Sequence, residues 1–168
     1  GTVSMPSHLV SSETLGPQGS IFLEIAMFDQ TIKSVMKENQ KKFITAEPSE
    51  SVSNAAKLMR AKGLGALLVV DAGRLVGIFT ERDALFRVLA RGLDPKTTTL
   101  REVMTADPIT LGPERTYGHA LIVMHENGFR HIPVVEDAKA VGIVSSRDAM
   151  DPDMQECIWQ ERQRAHHR

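Results

Sequence analysis

The chain carries the same text twice. A shift of 65 positions brings Ile44-Thr45 onto Ile109-Thr110, Met59 onto Met124 and Gly63 onto Gly128. It also brings Val69-Val70 onto Val134-Val135, Val76-Gly77-Ile78 onto Val141-Gly142-Ile143, and Arg82-Asp83-Ala84 onto Arg147-Asp148-Ala149. No gap is needed between Ile44 and Leu85, so connection lengths are copied along with core positions. Ahead of each copy a hexapeptide repeats as well. Thr31-Ile32-Lys33-Ser34-Val35-Met36 returns as Thr99-Leu100-Arg101-Glu102-Val103-Met104 at a shift of 68, which places a three-residue length difference within Lys37 to Phe43. Two copies are too few for a solenoid, so the expected product is one compact body with pseudo-twofold symmetry. A ligand held at a spot in one copy should then have a counterpart spot in the other.

Periodicity within the copies predicts an α/β fold. Ile21, Phe22, Ile25 and Phe28, then Ile32, Val35 and Met36, recur at helical spacing and predict a lead-in helix ending in the first hexapeptide. Each copy then reads as a short strand, a helix, two strands and a helix. The stripe Val52, Ala55, Ala56, Met59 ends at Gly63, and Tyr117, Ala120, Leu121, Met124 ends at Gly128, each glycine standing where a left-handed cap belongs. The runs Ala66–Val70 and Leu75–Phe79, with partners Ile132–Val135 and Ala140–Val144, are continuously apolar, so both faces of these strands should be covered. The helix after Phe79 should run to about Arg91 and stop at Gly92, while Pro152 cuts its counterpart short. The expected divisions are a loose arm over 1–20, a first repeat with its lead-in helix over 21–92, and a second repeat over 93–151. A C-terminal helix over 152–168 would start at Asp151-Pro152.

Composition removes several classes. A formal net charge of −1 gives no basic field for nucleic acid. The single Cys157 allows neither an intrachain disulfide nor a thiolate zinc site. No apolar run approaches a membrane span, and Gly1 to Ser20 lacks the layout of a secretory signal, so a cytoplasmic protein without a membrane partner is expected.

The sharpest local pattern is Gly77-Ile78-Phe79-Thr80-Glu81-Arg82-Asp83, echoed by Gly142-Ile143-Val144-Ser145-Ser146-Arg147-Asp148. A hydroxyl followed three residues later by a carboxylate, directly after a buried strand, is a capping box, with Asp83 and Asp148 reaching back to the helix start. The same geometry suits a ribose phosphate. Free amides at a helix start favour an anion, and a carboxylate one turn on can accept ribose hydroxyls. Arg82 and Arg147 read equally as solvated first-turn residues or as phosphate contacts. If both aspartates turned inward with no room left outside, the ribose reading would fail.

From about Thr31 to Met150 the chain resembles a tandem pair of CBS domains, the regulatory repeats also called Bateman modules. The likeness rests on Val35-Met36 with Ile44-Thr45, on Val103-Met104 with Ile109-Thr110, on the Gly-containing strand pairs, and on the Gly-Ile-x-Thr/Ser-x-Arg-Asp endings. The resemblance implies two β-α-β-β-α repeats packed through their sheets, with two clefts for adenosine-containing ligands. AMP is the foremost candidate, with ADP, ATP, NAD(H) or S-adenosylmethionine as others. Carried over, Thr45 and Thr110 fall near the adenine, Thr80 and Ser145 at phosphate or ribose, and Asp83 and Asp148 at the ribose. Arg130-His131-Ile132-Pro133 matches a strand start whose basic pair meets phosphate and whose apolar residue flanks the base. Copy one has Gly65-Ala66-Leu67-Leu68 there, and Glu81 stands where copy two has Ser146, so unequal affinities are expected. The basic pair can equally serve the neighbouring cleft. The resemblance further implies a homodimer read by an effector protein, and a sensing module rather than an enzyme, since no nucleophile arrangement or Walker-type loop is present. A dimerising scaffold without a physiological nucleotide is the alternative, and a piece of a larger enzyme a third.

Overall fold

The computed structural model describes residues 28–40, 42–149 and 164–165. The arm over 1–20, Ile21, Phe22, Ile25 and, apart from helical Arg164-Ala165, the C-terminal helix lie outside them.

The lead-in segment is not one helix through to Met36. Phe28 is helical, Asp29-Gln30 turn, and Thr31 caps a new helix, α1 (Ile32–Glu38), its Oγ1 accepting the Ser34 amide at 3.1 Å. Apolar spacing alone runs through Thr31, but a threonine hydroxyl satisfies an otherwise free amide best at a helix start. Repeat one continues with β1 (Thr45–Ala46), α2 (Val52–Lys62), β2 (Ala66–Asp71) and β3 (Arg74–Thr80). A short α3 (Glu81–Asp83) then widens into a π-helix over Ala84–Leu89. Repeat two follows with α4 (Leu100–Val103), β4 (Thr105–Ala106), α5 (Tyr117–Asn127), β5 (His131–Glu136) and β6 (Lys139–Ser145). A 3-10 helix over Ser146–Ala149 follows β6.

Serine and threonine start the long helices as the sequence requires. Ser51 accepts from the Asn54 amide and Thr116 from the His119 amide, both at 3.1 Å, while Gly63 (φ 65°) and Gly128 (φ 71°) end them in the left-handed conformation. Val52, Ala55 and Met59 are buried on α2, but Ala56 is exposed, so the apolar stripe is narrower than its spacing suggested.

Strand order in the first sheet is β1-β2-β3-β4, with β1 parallel to β2 and the rest antiparallel; β5 and β6 form a second sheet. The short first strand expected in repeat two is reduced to a single parallel bridge between Leu111 and Val134. Alternation then explains the continuously apolar strands. Leu67, Val69 and Phe79 face a core with α2, and Ile132, Val134 and Val144 face a core with α5. The residues between them, Ala66, Leu68, Ile78 and Ile143, form a third layer where sheet meets sheet. The repeats therefore pack through their sheets.

The lead-in helices are exchanged. Ile32 and Val35 of α1 are buried in the core of repeat two, and Leu100 and Val103 of α4, with Met104 just after it, in that of repeat one. Backbone bonds fix each exchange identically. Ile32 N–H donates to the Arg115 carbonyl at 2.8 Å and Tyr117 N–H to Gln30 at 2.8 Å. Leu100 N–H donates to Glu50 and Val52 N–H to Thr98, both at 2.9 Å. Amides left free at each helix start are thus satisfied by the loop before the other helix.

Candidate functional site

The capping box at the end of β3 is closed. Thr80 N–H donates to Asp83 Oδ2 at 3.0 Å, the Thr80 hydroxyl to the same oxygen at 3.1 Å, and Asp83 N–H returns to Thr80 Oγ1 at 3.2 Å. The second Asp83 oxygen lies 3.5 Å from Arg87 Nε, an i,i+4 partner whose Nη1 also donates to the Met104 carbonyl at 2.8 Å. Asp83 is only 8% exposed. Burial pushes its carboxyl above the ordinary range, against the opposing pull of the Thr80 bonds and Arg87.

A cleft of about 740 Å³ opens beside this junction. One wall belongs to repeat one, from Gly65, Ile78 and residues 80–83 to Phe86 and Arg87. The other belongs to repeat two: residues 127–131, at the end of α5 and the start of β5. Thr105 and residues 107–109, in the connection leaving β4, complete it. Arg82 crosses between the walls, its Nη1 donating to the Gly128 carbonyl at 3.2 Å and its guanidinium lying 5.6 Å over the Phe86 ring. Its volume falls within the usual range for a small-molecule site.

Of the residues singled out in the sequence, Gly65, Thr80, Arg82, Asp83, Arg130 and His131 come together here. The basic pair of copy two thus faces the junction of copy one. Ser145, Arg147 and Asp148 form the other junction and do not line this cleft. There Ser145 N–H donates to Asp148 Oδ2 at 2.7 Å, and Ser145 and Asp148 are both buried. Both aspartates therefore turn inward to their own backbone, and room outside remains beside Asp83. Thr110 adjoins the lining residue Ile109, whereas Thr45 sits on β1, at the sheet edge opposite β4. Ala66 belongs to the layer between the sheets, Ile132 is wholly buried against α5, and Pro133 is buried in β5, and none of the three lines this cleft. Ile132 supports the strand start from beneath.

The expected free amides are also largely taken: Glu81 N–H donates to the Gly65 carbonyl at 3.0 Å and Asp83 N–H to Thr80. Side chains, not the helix start, must meet an anion here. Arg87, Phe86 and the segment leaving β4 had not been singled out. Arg87 was legible as the i+4 partner of Asp83. The β4 segment was not, because it lies where the two copies lose register. Among the described residues no group of three His, Cys, Asp or Glu side chains is placed to hold a metal ion, and no helix is long and apolar enough to cross a membrane.

The model of the CBS domain family matches residues 32–90 and 100–152. The CBS domain-containing protein CBSCBSPB3 of Arabidopsis thaliana is 34% identical over 119 residues, covering 70% of this chain and 21% of that protein. The mitochondrial CBS domain-containing protein CBSX3 of the same plant is 36% identical over 129 residues, 71% of this chain and 63% of that protein. This chain thus spans less than two thirds of either relative. Among solved structures, the CBS domain pair of protein MJ0100, in complex with 5′-methylthioadenosine and S-adenosyl-L-methionine, is 33% identical. It superposes with a TM-score of 0.63 over 71% of this chain and 95% of that one.

Proposed function

The chain belongs to the CBS domain family, matched over both repeats, and from that premise we propose that it is a regulatory module binding an adenosine-containing ligand. One observation carries this reading. The Thr80–Asp83 box of repeat one faces Arg130 and His131 of repeat two across a cleft large enough for a nucleoside and its 5′ substituent. The outer Asp83 oxygen accepts ribose hydroxyls while its partner keeps the cap closed. Arg130 and His131 take an anionic group on the 5′ side. AMP, ADP, ATP, NAD(H) and S-adenosylmethionine are the candidates, and the ligand of the MJ0100 pair supports the class.

Such a ligand touches both repeats, so it favours the relative placement of the two that it fits best, and a partner protein reads the difference. The π-helix is the route out of the cleft. Phe86 and Arg87 line it, while Leu85 (49% exposed) and Leu89 (70% exposed) present apolar surface to water on the same helix. That face supports pairing of two copies, with ligand and assembly coupled through one element. The role is that of a sensor and not of an enzyme.

Thermal unfolding with AMP, ATP, NADH, S-adenosylmethionine and a guanosine control tests the reading. A ligand at 100 times its dissociation constant adds about 2.7 kcal/mol, a shift of several degrees for a chain of this size. A midpoint that no adenosine compound moves returns the chain to the scaffold reading.

A further inference from the structure

Six of the cleft's lining residues carry formal charge: Glu81, Asp83 and Asp107 against Arg82, Arg87 and Arg130. Their commitments are unequal. Asp83 is held by Thr80 and Arg87, Arg87 by Asp83 and the Met104 carbonyl, and Arg82 by the Gly128 carbonyl and the Phe86 ring. Glu81, Asp107 and Arg130 are exposed, and their side chains have no hydrogen-bond or ion-pair partner among the described residues. The Glu81 carboxylate lies over Gly65, 3.2–3.4 Å from where a side-chain Cβ would stand, so a larger residue at 65 would push it a few tenths of an ångström from this place on the wall. Asp107 is held on the segment leaving β4 in a left-handed conformation (φ 46°), its amide donating to the Val76 carbonyl at 3.1 Å. An incoming ligand therefore meets two uncommitted carboxylates and one uncommitted guanidinium.

We propose that Glu81 and Asp107 determine specificity by charge, confining this cleft to adenosine ligands whose 5′ substituent is no more anionic than a single phosphate. The proposal rests on the adenosine reading above and narrows it. One phosphate, or the carboxylate of a zwitterionic amino-acid tail, is met by Arg130 with His131 beside it. A second and third phosphate extend towards carboxylates that have no cation of their own, and like charges in a partly enclosed cleft repel more strongly than in open water. The other junction lacks this feature. Ser146 stands in register with Glu81, Lys62 with Asn127, and Asn39, a neutral side chain, donates to the Asp148 carbonyl at 3.1 Å. The carboxylates thus belong to one cleft and not to the repeat.

Calorimetric titration of the full chain with AMP, S-adenosylmethionine and ATP, at one ionic strength and without divalent cations, tests this. The wild type is expected to bind ATP at least about tenfold more weakly than AMP, a difference of about 1.4 kcal/mol. The double variant Glu81→Gln/Asp107→Asn should tighten ATP about five- to tenfold while moving AMP less than about twofold, by the same Coulomb argument. Glu114→Gln, an exposed carboxylate outside the cleft, should leave the ratio unchanged. Equal wild-type affinities for AMP and ATP, an unmoved ratio in the double variant, or an equal change in Glu114→Gln each overturns the charge filter while the adenosine reading stands. A folded wild type that binds none of the three overturns both.

Discussion

At the Thr80–Asp83 junction the chain leaves β3 into a short α-helix that widens into a π-helix, whereas at Ser145–Asp148 it leaves β6 into a 3-10 helix over Ser146–Ala149. Each aspartate accepts the amide of its capping residue, at 3.0 Å in the first and 2.7 Å in the second. Beyond that bond the two diverge. Asp83 also faces Arg87 and an open cleft, while the second junction is tied down by Tyr117, whose hydroxyl donates to the Ser145 carbonyl at 2.8 Å. Val52 stands in register with Tyr117 and offers no such bond. Duplication preserved the backbone solution to ending a buried strand. It left side-chain surroundings free to differ, and those surroundings decide what each junction can hold.

The deepest test of that comparison asks whether the repeats are energetically separate at all. Ile32→Ala and Leu100→Ala each remove a wholly buried side chain, and each should cost about 2–5 kcal/mol. Because the lead-in helices are exchanged, Ile32→Ala should raise amide hydrogen exchange in α5 before α2, and Leu100→Ala should do the reverse. Loss of protection in the repeat nearer in sequence would break the exchanged picture.

A smaller effect is expected at the two hairpin turns, which share a shape but not a residue. Both turns place two central residues at positive φ, Ala72 (50°) and Gly73 (81°) in one, Asp137 (50°) and Ala138 (64°) in the other. This matches the right-handed twist of the flanking strands. Ala138 adopts without relief the conformation that Gly73 adopts freely. Ala138→Gly should therefore stabilise the chain by about 0.5–1 kcal/mol and Gly73→Ala destabilise it by a similar amount. Chemical denaturation reads both, and the same sign for the pair would show that the turns are not equivalent.

Much of this was legible because a duplicated sequence checks itself. Gly63 with Gly128, Val76–Ile78 with Val141–Ile143, and the two capping boxes each confirmed an element that one copy alone would have left ambiguous. Legibility failed where the copies stop matching or where contacts cross between them. Asp107 sits where the shift changes from 68 to 65, so no partner position drew notice to it. Ile132 was singled out by the family resemblance alone, whereas period-2 alternation turns its side chain into the core against α5. The break at Asp29-Gln30 was hidden by apolar residues that keep helical spacing across it.

The finest expected difference lies in how the Asp83 junction responds to pH. Burial, the largest influence, raises the folded-state pKa of Asp83 above its ordinary 3.8, outweighing the Thr80 bonds and Arg87. A carboxyl raised in this way binds its proton more tightly in the folded chain than in the unfolded one. Its contribution to stability is therefore fully present below the ordinary value and is lost as pH rises through the folded one. Asp83→Asn keeps the side-chain shape and a carbonyl acceptor for the Thr80 amide but cannot titrate. The stability of the wild type relative to Asp83→Asn should accordingly fall as pH rises from about 4 towards neutrality and then level off. Denaturant titrations of both proteins across that range measure it. A relative stability that climbs with pH would mean that Thr80 and Arg87 outweigh burial, and that the open cleft beside Asp83 leaves its carboxylate better solvated than its 8% exposure suggests.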